Sequence, residues 1–236
     1  MRTNVGGHIG HAFPACFVAA FLLFTAAPGH SNPHTPNKEP LEFEVQRDGV
    51  PVGQHRVSFA RDGKDLRVDI VFDIKIKLFG LTLYSLEYSS QSRWRNGKLE
   101  SLDARTNDDG TVSTVSAKRV GDAYRISGPD GMETVRGDLI PTNHWNIAVT
   151  ESERVLNTIT GKVNAVRMHD LGEERIEAEG RTVEAQRWAY TGDLESEVWY
   201  GQHGEWVKMR FEGRDGSQIE YVCKRCLSSD QRMTTR

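Results

Sequence analysis

From residue 68 the apolar side chains fall on every second position: Val68, Ile70, Phe72, Ile74, Ile76 and Leu78, with Asp69, Val71, Asp73, Lys75 and Lys77 between them. A period of two sends one set to a buried face and the other to water. Eleven such residues at ~3.4 Å each make a strand of about 37 Å, long for a globular sheet. After Phe79-Gly80 the pattern returns. Tyr84, Leu86, Tyr88, Ser90, Ser92 and Trp94 share one face, and Leu83, Ser85, Glu87, Ser89, Gln91, Arg93 and Arg95 share the other. Residues 66–95 therefore read as one long hairpin. Asp-Gly occurs five times, beginning at Asp48, Asp62, Asp109, Asp130 and Asp215, and Asn96-Gly97 is a sixth pair of the same kind. Such pairs accept positive φ at both central positions of a type I′ turn and are strong hairpin signals. Shorter strands are predicted over 41–47, 50–60, 98–106, 111–119, 123–127 and 132–136, then over 162–168, 174–178, 182–190, 194–200, 205–212 and 217–223.

One segment departs from this rhythm. Pro141-Thr142-Asn143 is a helix-start signal, and Trp145, Ala148, Val149, Ser152 and Leu156 keep helical spacing. A helix of two to four turns is predicted within 143–157, its apolar side plugging one end or face of the sheet. The predicted fold is mainly β: a single curved antiparallel meander sheet or partial β-barrel with one short helix.

The chain has 236 residues, 37% of them hydrophobic and 27% charged, with a net charge of −3. That suffices for a real core and leaves no basic footprint for nucleic acid. Residues 13–27 form an almost unbroken apolar run behind Arg2. Fifteen residues fall short of the ~20 that span a bilayer, and suit a secretory signal ending in small residues. The expectation is a signal peptide over 1–29, cleaved near Ala27 or Gly29, and a periplasmic protein. A Pro-rich linker over 30–40, a β-rich domain over 41–226 and a flexible tail over 227–236 follow. No later apolar stretch is long enough to cross a membrane. Cleavage would leave Cys223 and Cys226 as the remaining cysteines, and in an oxidising compartment this C-x-x-C predicts a small disulfide loop. A zinc site would need further ligands at readable spacing, and none is found, so no metal is predicted.

Candidate chemistry is sparse. The hairpin tip Leu78-Phe79-Gly80-Leu81 is apolar where turns are usually polar, so Phe79 could touch lipid, ligand or a partner. The simpler expectation is that the helix covers it. His144 and Trp145 could line a cavity mouth, whereas the simpler reading puts Trp145 in the core beneath a capped helix. Trp188, Trp199 and Trp206, with Tyr190 and Tyr200, could form an aromatic groove or plain sheet core. His169-Asp170 has no nucleophile at readable distance, and no nucleophile-elbow, phosphate-loop, dinucleotide or zincin motif occurs.

An ordered set of short segments carries a resemblance. These are Val45-Gln46-Arg47-Asp48-Gly49-Val50-Pro51-Val52-Gly53, Trp94-Arg95-Asn96-Gly97-Lys98-Leu99 and Pro141-Thr142-Asn143-His144-Trp145-Asn146, then Glu197-Val198-Trp199-Tyr200, Gly204-Glu205-Trp206-Val207-Lys208 and residues 213–221. Together they resemble the exported bacterial family called domain of unknown function 6134 and, more distantly, domain of unknown function 3108. The resemblance implies a periplasmic β-rich domain without an assigned activity. A looser likeness in plan is to periplasmic lipoprotein carriers with half-barrel sheets. The expected function is a non-catalytic binding module for an apolar or amphipathic envelope component, without cofactor. Phe72, Ile74, Ile76, Tyr84, Leu86 and Tyr88 would line the site, with Phe79, His144 and Trp145 beside it. The alternatives are an envelope interaction domain with a packed core, or an enzyme of unrecognised type using His144 or His169 as a proton carrier.

Overall fold

A computed structural model describes residues 39–228. The expected signal, all but the end of the linker and residues 229–236 of the expected tail lie outside the described residues. Strands β1 (Leu41–Arg47), β2 (Val50–Asp62), β3 (Asp65–Leu78), β4 (Leu81–Arg95), β5 (Lys98–Asp108), β6 (Thr111–Val120), β7 (Ala123–Gly128) and β8 (Gly131–Arg136) follow one another through tight turns. After β9 (Ile140–Pro141) and β10 (Arg154–Leu156) come β11 (Val163–Ala178), β12 (Arg181–Gly192), β13 (Ser196–Gly201), β14 (Trp206–Glu212) and β15 (Gln218–Arg225). The turn pairs beginning at Asp48, Asn96 and Asp109 hold both residues at positive φ, as type I′ turns require. Phe79-Gly80 does the same without an Asp or Asn.

All fifteen strands join one curved sheet in the order β8-β7-β6-β5-β4-β3-β2-β1-β15-β14-β13-β12-β11-β10-β9. Neighbours run antiparallel except β9, which pairs in parallel with β10. The first and last strands thus lie side by side at its centre, with Val45 opposite Tyr221 and Arg47 opposite Ile219. The sheet curls until its two ends touch without pairing. The loop after β10 meets the end of β7, where a Cβ on Gly161 would stand 3.0 Å from the Cα of Gly128. Only glycines let these backbones come so close. Arg154 donates from Nη2 to the Arg136 carbonyl at 2.8 Å, and Tyr88 Oη donates to Thr158 Oγ1 at 2.8 Å.

The predicted hairpin is β3–β4, with Leu66 opposite Trp94 and Phe72 opposite Tyr88. Its inward residues from Leu66 to Ile74 and from Tyr88 to Trp94 are buried, as the alternation required. Pairing of β2 with β3 stops at Gly53–Ile74, and that of β4 with β5 stops at Leu86–Asp108. Residues 75–84 therefore project as a two-stranded ribbon beyond their neighbours.

Three expectations need correction. The predicted helix is a single 3₁₀ turn, Ile147–Glu151, with Asn146 Oδ1 capping Ala148 N. Ile147, Val149 and Thr150 are β-branched and resist α-helix. Leu156, which the helical spacing would recruit, pairs instead with Pro141, as Val155 beside it does with Ile140. The predicted strands 162–168 and 174–178 are one strand, irregular between Asp170 and Glu173 in its pairing with β12. Leu227, placed in the tail, is buried.

The disulfide joins Cys223 to Cys226. Glu179 Oε1 accepts from the N–H groups of Cys226 at 2.6 Å and Leu227 at 2.9 Å, tying the end of β15 to the β11–β12 turn. Glu179 and the two sulfurs lie close enough to hold a metal. With the sulfurs bonded to each other, neither is a thiolate ligand.

Candidate functional site

The inward face of the sheet encloses a cavity of about 600 Å³. That lies inside the ~300–1,000 Å³ range of small-molecule sites. One wall comes from the long hairpin, because Phe72, Ile74, Ile76, Tyr84, Leu86 and Tyr88 all fall on its inward side. The facing wall comes from the C-terminal strands, with Trp206, Met209, Phe211, Ile219 and Tyr221. The β1–β15 pairing brings these two walls, far apart in sequence, together.

Exposure grades the cavity from mouth to floor. At the mouth stand Arg47, Asp108, Glu195, Arg214 and Asp215, with the Arg214 side chain 97% exposed. Arg47 Nη2 pairs with Asp215 Oδ2 at 2.6 Å. The Ser217 hydroxyl and N–H, together with Arg47, hold the Asp215 carboxyl well below its ordinary range. Burial and the Asp108 carboxylate push the Tyr84 hydroxyl up to about 12. The floor is uncharged, formed by His55, Tyr88, Asn143, His144, Thr158, Tyr190 and Trp206.

His55 is the unusual member. It is 8% exposed, and neither ring nitrogen has a hydrogen-bond partner among the described residues. The rings of Phe72, Trp206 and Tyr221 box it at 5.6, 5.3 and 5.3 Å between centroids. Burial, with His144 nearby, lowers its pKa to about 3. His144 sits in the left-handed region at φ 56°, its carbonyl accepting from Tyr200 Oη at 2.8 Å. Its Nδ1 meets the Tyr190 hydroxyl at 3.3 Å, and burial lowers its pKa to about 4. Both imidazoles are therefore neutral at pH 7. Tyr88 donates to Thr158, whose Oγ1 donates to Asn143 Oδ1 at 3.4 Å, while Asn143 Nδ2 has no partner among the described residues.

Seven of the nine sequence-predicted site residues line this cavity: Phe72, Ile74, Ile76, Tyr84, Leu86, Tyr88 and His144. His144 belongs to the floor and not to the mouth. Two do not line it. Trp145 is buried at the end of the barrel beyond the floor, 5.2 Å from Trp94 and 5.5 Å from Phe59 between ring centroids. Phe79 caps the projecting ribbon and is 96% exposed. The 3₁₀ turn does not cover that tip, because it packs at the opposite end beside Trp145. His169 is exposed on β11, bonded to Thr191 Oγ1 at 2.9 Å, and does not line this cavity. Of the predicted aromatic group, Tyr190 and Trp206 line the cavity. Trp199 is buried against Arg187, Lys208 and Arg210, and Trp188 lies outside the cavity lining. The sequence reading missed His55, although its place two residues from the buried Val57 marks it as inward-facing.

Among solved structures the fold is similar to a crystal structure from Brucella abortus, described as a beta-barrel-like protein of domain of unknown function DUF1849. The two share 9% identity with a TM-score of 0.56, over 80% of this chain and 95% of that one. At that identity the likeness is one of fold alone. No curated protein matches the chain. Residues 43–224, which supply every lining residue of the cavity, match the family described as Domain of unknown function (DUF6134), and the chain belongs to that family.

Proposed function

We propose that the protein is a non-catalytic binding module that holds one apolar or amphipathic molecule inside its partial barrel. The observation that supports this is the cavity itself, with apolar walls on both sides and a floor that carries polar groups without partners among the described residues. A domain selected only for stability would fill such a space, because internal voids cost free energy in proportion to their volume. The lining carboxylates of Asp108, Glu195 and Asp215 stand at the mouth, away from the floor histidines, which favours binding over proton-transfer chemistry. The apolar N-terminal run and the Cys223–Cys226 disulfide favour an exported, periplasmic protein, where an envelope lipid or similar amphiphile is the natural ligand class.

Native mass spectrometry of the chain purified from a periplasmic expression host tests this reading. The expected result is a stoichiometric added mass that disappears on denaturation. A bare mass that gains nothing when amphiphiles are titrated in would sink it.

The exposed tip supports a second reading, an interaction site for an envelope partner. Leu78, Phe79, Leu81 and Leu83 are each more than half exposed. Phe79→Asp is expected to change stability by less than ~0.5 kcal/mol, as for surface substitutions generally. The same variant should abolish capture of a partner that the wild type retains, and unchanged capture would remove the tip from the reading.

A further inference from the structure

The floor and the mouth of the cavity differ in chemistry, and the difference gives the ligand a direction. His55 and Asn143 lie at the deep end and are both more than nine-tenths buried. Nδ1 and Nε2 of His55 and Nδ2 of Asn143 have no partner among the described residues. A neutral imidazole offers one donor and one acceptor, and an amide NH₂ offers two donors. These atoms are already buried and unpaired in the protein, so a ligand group that pairs with them recovers hydrogen bonds that an alkyl chain cannot supply. A charged head would meet no countercharge there, because the charged lining residues Arg47, Asp108, Glu195, Arg214 and Asp215 all belong to the mouth. The walls between are apolar: Phe72, Ile74, Leu86, Met209, Phe211 and Ile219.

We propose that the cavity takes its ligand polar end first. An uncharged group that both donates and accepts hydrogen bonds, such as an alcohol, a primary amide or an undissociated acid, sits against His55 and Asn143. The apolar remainder runs along the two walls towards the mouth. Any ionised group on the same molecule stays at the mouth, where Arg47 and Arg214 could meet an anion. His55 is then a specificity-determining residue.

This direction rests on the binding reading above, and one experiment separates the two. The full purified chain is loaded with the fluorescent amphiphile N-phenyl-1-naphthylamine and displaced with 1-decanol or with 1-chlorodecane. These have the same chain length, with and without the hydroxyl. The ratio of their affinities is measured in wild type, His55→Phe, His55→Gln and Asn143→Leu. Phe suits the ring box but removes the polar atoms, whereas Gln restores a donor and an acceptor. The decanol preference is expected to fall on the order of tenfold in His55→Phe, the equivalent of one buried hydrogen bond. It should fall likewise in Asn143→Leu and persist in His55→Gln. Asn143→Leu gives the same readout through a different side chain if His55→Phe does not fold. With the opposite orientation, an alkyl tail would rest on the floor and both ligands would gain equally from His55→Phe. An unchanged ratio with both ligands bound therefore overturns the direction and leaves the binding reading standing. Failure of every one of these amphiphiles to bind the wild type overturns both.

Discussion

Acidification from pH 7.5 to pH 5 is expected to remove about 4 kcal/mol from the folding free energy, well before the carboxylates titrate. The cause lies in the cavity floor. In the unfolded chain His55 and His144 take up protons near their ordinary value of 6.5, but burial holds the folded pKa values at about 3 and about 4. Below pH 6.5 the unfolded state binds more protons than the folded one, so stability is full above that value and falls with pH until the folded imidazoles titrate. Glu197 and Asp215, both lowered in the fold, push in the same direction but only at more acid pH. A loss of this size is a large part of the ~5–15 kcal/mol typical of a domain. Denaturant midpoints measured at half-unit steps check it, and His55→Phe should flatten the profile by about half. A level profile in the wild type would mean that both imidazoles reach water in the folded state, and their burial would have to be abandoned.

Gly53→Ala is expected to cost about 3 kcal/mol or more, although it adds a single methyl group. Gly53 sits on β2 opposite Ile74, at the point where the ribbon leaves the sheet. A Cβ built there would lie 1.8 Å from the Asp73 carbonyl oxygen and 3.0 Å from the Ile74 Cα. Both obstacles are backbone, so no rotamer change relieves them, and the β2–β3 ladder has to part. That would move Ile74 in one wall and His55 two residues along β2. A thermal melt reports the cost directly, and ligand affinity should fall with it. A variant that melts with the wild type would show that the two strands stand further apart than described.

The strands were legible because two signals agreed along most of the chain. Period-two alternation chose the face, and Asp-Gly or Asn-Gly pairs marked most of the reversals. The hairpin wall from Phe72 to Tyr88 followed from this, since the inward face of a curled sheet is also its cavity lining. What the local pattern could not supply was depth. Phe79 and Trp145 are as apolar as Phe72, yet one lies beyond the mouth and the other behind the floor. Their places depend on where neighbouring strands stop and on which end the 3₁₀ turn closes. The second wall was illegible for a related reason, because β1–β15 pairing joins residues at the two ends of the domain. His55 was readable in principle, as a polar residue in register with Val57. The helix failed by tertiary override: Val155 and Leu156 gain more from pairing with β9 than a Thr- and Val-containing segment gains from helical propensity.

The side-by-side placement of β1 and β15 also sets the order of assembly. Each half of the sheet can form by local hairpins, β1 to β8 on one side and β11 to β15 on the other. Their central seam joins positions as far apart as Glu42 and Arg225. Closing a loop that spans nearly the whole domain is entropically slow, so high contact order is concentrated in this one ladder. The cavity therefore does not exist until β15 has paired with β1. Until then, the apolar inner faces of two unfinished half-sheets need shelter from one another's copies.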